Sequence, residues 1–173
     1  MPVQTTSYAV RDLTRAALCT ACACLLAPVS LPIGPVSLTL GVFAILLTGA
    51  LLPPALAALS ACGYLLLGFA GLPVFAGFAA GPGVLFGVTG GYLLAYPLMA
   101  WVVSAVCRRT SHMGLRMAGV ALANLFCYLL GTAWFMAATG MGLWASLSVC
   151  VFPFVLPDLA KGWCALRLAR RLG

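Results

Sequence analysis

The chain has 173 residues, 64% hydrophobic and 6% charged, with nine Lys and Arg against two acids and a formal net charge of +7. A soluble domain carries roughly 25% charged residues, so this composition, with a mean hydropathy of +1.16, excludes one and defines an integral membrane protein. The positive charge is not a nucleic-acid surface, because the arginines sit at segment ends and form no stripe interleaved with aromatics.

Punctuation by Pro, Gly and Arg divides the chain into six apolar segments, which predict spanning helices at 13–29, 36–52, 54–72, 84–107, 115–138 and 153–170. Each is near the ~20 residues that a spanning helix needs, and the second is short enough to demand little tilt or a thinned bilayer. Because apolar segments continue through the whole chain, the first is not read as a secretory signal. One domain, 1–173, is expected.

Segment 1 follows Arg11 and Arg15 and carries Ala17 and Ala21 at a small-residue spacing that lets another helix approach closely, within the bundle or from a separate subunit. Cys19, Cys22 and Cys24 in this segment, like Cys62 and Cys127 later, read as small apolar side chains. With His112 the single histidine and no second C-x-x-C, no metal site is expected. The loops 27–37 and 71–83 are apolar and rich in Gly and Pro, so they either fold back over a ligand as a lid or make ordinary turns.

Arg108, Arg109 and Arg116 bracket the connection between segments 4 and 5, and Arg167, Arg170 and Arg171 close the chain. With six spans, all three basic groups fall on one side, which the positive-inside rule makes cytoplasmic together with both termini. Within the spans, Tyr64, Tyr92, Tyr96 and Tyr128 read as interface-belt or packing residues, and Asn124 either makes an interhelical hydrogen bond or meets a ligand. Residues 138–152 are expected to form a longer outer connection.

Segment 6 contains VLPDLAKGW, residues 155–163, which puts the only lysine, Lys161, three positions after Asp158. Pro157 suggests a helix that starts within 153–157, with the carboxylate near its positive end and the ammonium one turn deeper on the same face. Intramembrane charges are costly and mark functional sites. A carboxylate acceptor beside a three-donor ammonium suits a ligand offering N–H donors and a carbonyl or carboxylate acceptor, such as a ureido ring or an amide. The chain has no Glu, no phosphate-binding G-x-x-x-x-G-K-[ST] and no Ser/His/Asp set, so an enzyme is not expected.

Five stretches in order, PVSLTLGVFAILLTGALL (35–52), YLLLGFAGLPVFAG (64–77), GVTGGYLLAYP (87–97), YLLGTAW (128–134) and PFVLPDLAK (153–161), are similar to motifs of the BioY family. That family comprises the biotin-specific S components of energy-coupling-factor vitamin transporters, and the resemblance covers nearly the whole chain. It implies a six-helix bundle in a prokaryotic plasma membrane, surrounded by lipid, with cytoplasmic termini and biotin bound near the outer face under the loops after helices 1 and 3. It also implies an ATPase and a transmembrane coupling subunit as partners, and no cofactor.

By the same resemblance, Asp158 and Lys161 match the family's D-x-x-K substrate contact, and Gly90, Gly91 and Tyr92 match its glycine-rich stretch. Thr39, Phe75 and Asn124 join the expected biotin site, and Ala17 and Ala21 match the contact with the coupling subunit. Gly41 stands where the family commonly has Gln, and Ala79 and Leu93 stand where it can carry a polar residue and an arginine. The alternative reading is an autonomous permease acting as a homo-oligomer. A reporter fused after Gly173 is expected on the cytoplasmic side, and an external signal would mean that the spans are miscounted.

Overall fold

The computed structural model describes residues 10–33 and 36–172. Residues 34 and 35, at the expected tip of the first outer loop and the start of the PVSLTL motif, lie outside it. In chain order the elements are α1 (Val10–Leu26), β1 (Ser30–Ile33), β2 (Val36–Thr39), α2 (Gly41–Leu51), α3 (Pro54–Phe69) and a 3-10 turn at Ala76–Phe78. There follow α4 (Pro82–Leu85), α5 (Gly90–Leu94), α6 (Tyr96–Arg109), α7 (Met113–Thr139), α8 (Leu143–Cys150) and α9 (Phe152–Leu172).

The chain supplies its own start and stop signals. Pro54 opens α3, where the missing N–H of proline costs nothing. Arg108 and Arg109 close α6 against its negative end. α7 runs for 27 residues and stops at Gly140, whose φ of 71° ends it in the left-handed conformation.

The structure departs from the sequence expectation in four places. The segment expected at 36–52 begins as a strand: β1 and β2 pair antiparallel with Ser30 opposite Thr39, and helix starts only at Gly41, whose N–H donates to Thr39 Oγ1 at 3.1 Å. That hydroxyl competes with helical pairing from the front, as threonine does at helix starts. The segment expected at 84–107 is broken into α4, α5 and α6, because Pro97 has no N–H for the ladder between the last two pieces. The outer connection 138–152 contains α8. Finally α9 starts at Phe152, with Pro157 inside it, so Asp158 sits beyond the first turn, where the helix dipole has largely faded.

α6 is central, packing on α2, α3 and α7; α9 packs on α2 and α7, and α1 covers α3. Ile45, Leu46, Met99, Val103, Val120 and Leu166 fill the core. α5 and α6 together (Gly90–Arg109) and α7 are long and apolar enough to cross a membrane, and α8 with α9 pass the same test only when taken together across a 41° bend; α2 and α3 are shorter apolar helices. At one end, Arg116 Nε donates to Thr110 O at 2.8 Å and Arg170 donates to Ser111 O. The connection between α6 and α7 therefore meets the end of α9.

The opposite loops are tied as well. Gly77 N–H donates to Pro28 O at 3.1 Å, linking the loop after α3 to the end of α1. Phe75 in that loop is fully buried, edge-on to Tyr64 at 5.7 Å, and the Tyr64 hydroxyl donates to Val74 O at 3.1 Å. The ring is seated on Gly68, where an added Cβ would stand 2.1 Å from Phe75 Cζ. Gly68→Ala is therefore expected to cost about 1–3 kcal/mol through overpacking, seen as a lower melting temperature in detergent. An unchanged melting temperature would show that the loop yields freely.

Candidate functional site

A cavity of about 250 Å³ lies between β2, the loop at 75–79 and α5 to α9. Hydrophobic side chains form most of its wall on the loop side, among them Val36, Phe75, Val84 and Leu93, with the hydroxyls of Ser37, Thr39 and Thr89 between them. The α7 and α9 wall carries the charge. Asp158 is buried; its Oδ1 accepts from Lys161 Nζ at 2.9 Å, and its Oδ2 accepts from the Tyr128 hydroxyl at 2.8 Å.

Two partners in this geometry replace the helix dipole as what stabilises the buried carboxylate. Hydrogen bonds to a charged group contribute about 1.5–3 kcal/mol each, whereas the dipole acts only within the first turn. Neither group is saturated, since each carboxylate oxygen has a further lone pair and the ammonium two further protons. The wall can thus accept N–H groups from a small molecule and donate to its oxygen at once.

Of the residues singled out from the sequence, Thr39, Phe75, Tyr92, Asp158 and Lys161 line this cavity. Gly90 and Gly91 are buried behind it. A Cβ on Gly91 would meet Trp134 Cβ at 2.4 Å, so this glycine brings α5 against α7. Tyr92 then reaches the cavity while its hydroxyl pairs with Thr132 at 3.1 Å. Asn124 is buried but does not line the cavity, and both its side-chain polar atoms lack a hydrogen-bond partner among the described residues. Ala17 and Ala21 are exposed on α1, away from the cavity.

Tyr128 and Tyr96, read from the sequence as belt or packing residues, line the cavity, as do Cys127 and Cys150. The available signal was chemical: a tyrosine deep in an apolar span needs a partner for its hydroxyl. Which partner follows from how α7 meets α9, and Tyr128 and Asp158 are 30 positions apart.

A largely helical apolar chain closed around a small cavity, with its buried ion pair on the cavity wall, defines a membrane protein with a built small-molecule site. More narrowly, the chain belongs to the BioY family, whose model matches residues 1–173. It is 39% identical over 150 residues to the probable biotin transporter BioY of Pyrococcus horikoshii, covering 84% of this chain and 86% of that one. It is 35% identical over 154 residues to the biotin transporter BioY of Thermotoga maritima, covering 88% and 80%. Its fold is similar to the crystal structure of the S-component for biotin from an ECF-type ABC transporter, with a TM-score of 0.88, 27% identity and coverage of 98% and 94%.

Asn124 offers a test of how the interior is built. An unpaired buried amide costs about 1–3 kcal/mol, and leucine replaces it with the same branched shape and nothing to satisfy. Asn124→Leu is therefore expected to raise the melting temperature of the ligand-free protein, by about 2–4 °C for each kcal/mol recovered. A fall would mean that the amide has a partner on which the fold depends.

Proposed function

We propose that this chain captures biotin at the outer face of a prokaryotic plasma membrane and passes it inward as the substrate-specific subunit of an energy-coupling-factor transporter. The observation that carries the reading is the buried Asp158–Lys161 pair on the cavity wall, held by Tyr128. The ureido ring of biotin presents N–H donors, which suit the free lone pairs of Asp158, and a carbonyl oxygen with two lone pairs, of which Lys161 takes one. The thioether ring and valerate chain lie along Phe75, Val84 and Leu93. Ala79 and Leu93 line the cavity without offering charge, so the valerate carboxylate is met by the hydroxyls of Ser37 and Thr89.

In this reading α1, α2, α3, α5 with α6, α7 and α9 are six spans, with both termini cytoplasmic. The contact of Arg170 with Ser111 supports a shared side for two of the three basic groups. The exposed Ala17 and Ala21 give the coupling subunit a small-residue face on which a helix can lie close. Energy comes from that subunit and its ATPases. The similarity to an S-component of an ECF-type transporter supports this assignment.

Calorimetric titration of the purified chain in detergent tests the reading. Biotin is expected to bind tightly, and Asp158→Asn and Lys161→Ala are each expected to raise its Kd at least tenfold, about 1.4 kcal/mol, in protein that remains folded. Near-native affinity in both variants would overturn the anchor, and binding of riboflavin or thiamine in place of biotin would overturn the substrate. Uptake by cells expressing the chain alone would replace the subunit role with that of an autonomous homo-oligomeric permease.

A further inference from the structure

Tyr96, at the start of α6, is nearly buried yet lines the same cavity as Asp158 and Lys161. Its ring stacks on Tyr64 with centroids 6.2 Å apart and planes 25° from parallel. Tyr64 is in turn fixed by the edge of Phe75 and by its bond to Val74 O. Three aromatic rings thus form a column that leaves the Tyr96 ring little freedom, so its hydroxyl is oriented before any ligand arrives.

What that hydroxyl offers follows from its neighbours. The N–H of Gly41, at the start of α2, donates to Thr39 Oγ1 at 3.1 Å, which leaves the proton of Thr39 free to be given away. Thr39 and Tyr96 both line the cavity. Gly41 leaves room for both hydroxyls. A Cβ there would stand 3.1 Å from Thr39 Oγ1 and 3.3 Å from the Tyr96 oxygen, as well as 3.0 Å from Ala27 Cβ. The donors that Asp158 takes from this chain are Lys161 and Tyr128, which leaves the Tyr96 proton for an acceptor on the ligand and the remaining lone pairs of the carboxylate for the ligand's N–H groups.

We propose that Tyr96 is a specificity-determining residue whose hydroxyl, fixed on the cavity wall by the aromatic column, donates to the second lone pair of the ligand's ring carbonyl oxygen. This rests on the biotin reading above and adds a contact to it: Asp158 recognises the ring N–H, Lys161 and Tyr96 share the carbonyl, and Gly41 leaves the Tyr96 hydroxyl room. The site then selects for oxygen at that position, since a weak acceptor such as sulfur gains little from a fixed O–H donor.

Kd values for biotin and for 2-thiobiotin, in which sulfur replaces the ring carbonyl oxygen, measured on the wild-type chain and on Tyr96→Phe, test this. Tyr96→Phe is expected to raise the biotin Kd about tenfold while changing the 2-thiobiotin Kd less than about twofold, so that discrimination between the two collapses; the ligand-free melting temperature is expected to stay near that of wild type. Gly41→Ala, which crowds both hydroxyls, is expected to show the same selective loss and serves as the test if Tyr96→Phe does not fold. Equal losses for both ligands, or no loss for biotin, would overturn the role of Tyr96. Failure of the wild-type chain to bind biotin would sink the parent reading, and native biotin binding by both variants would sink this inference alone.

Discussion

A single carboxylate in an apolar interior sets the terms for the rest of this molecule. Asp158 cannot be left unpaired, because stranding one member of a buried pair costs about 3–5 kcal/mol, and one lysine on the same helix turn satisfies only one of its oxygens. The second is met from α7 by Tyr128. The polar wall therefore exists only where α7 and α9 are in register. The small-residue contact between the same helices, Gly162 against Val120, fixes that register a turn further along. Binding chemistry and helix packing are specified together.

The same economy shapes the loop side. An apolar chain has few polar groups with which to hold irregular backbone, and it uses aromatic rings instead. Phe75 on Gly68, Tyr64 against Phe75 and Tyr96 on Tyr64 turn a flexible-looking Gly/Pro loop into an extension of the core. The β-hairpin contributes its second strand to the cavity wall, and Thr39, at the end of that strand, also starts α2.

How much of this was legible depends on the physical range of each signal. Segments 3, 5 and 6 were read within a few residues of α3, α7 and α9, because long apolar runs bounded by Pro, Gly or Arg are local features. Asp158 and Lys161 stood out because charge is scarce and the pairing is three residues long. The β2 strand did not, since V-S-L-T runs straight into an apolar helix with no Pro or Gly between Val36 and Gly41 and its partner is another strand, β1. Tyr128 and Tyr96 acquire meaning only from neighbours on other helices, Asp158 and Tyr64, which no spacing along the chain encodes. Asn124 was read as a polar contact of one kind or another, and it lies buried off the cavity, where burial alone defines it.

The bond from Gly77 to Pro28 makes the loops after α1 and α3 one mechanical unit. On the proposed reading a molecule that enters between these loops parts that bond, and the segment it lifts also carries Phe75, the end of the aromatic column. Opening therefore unlocks Tyr64 and then Tyr96, so entrance and recognition are never fully formed at the same moment. An occupant enclosed by the closed loops leaves only when the column loosens, which makes residence time, more than the rate of encounter, the quantity that this architecture controls.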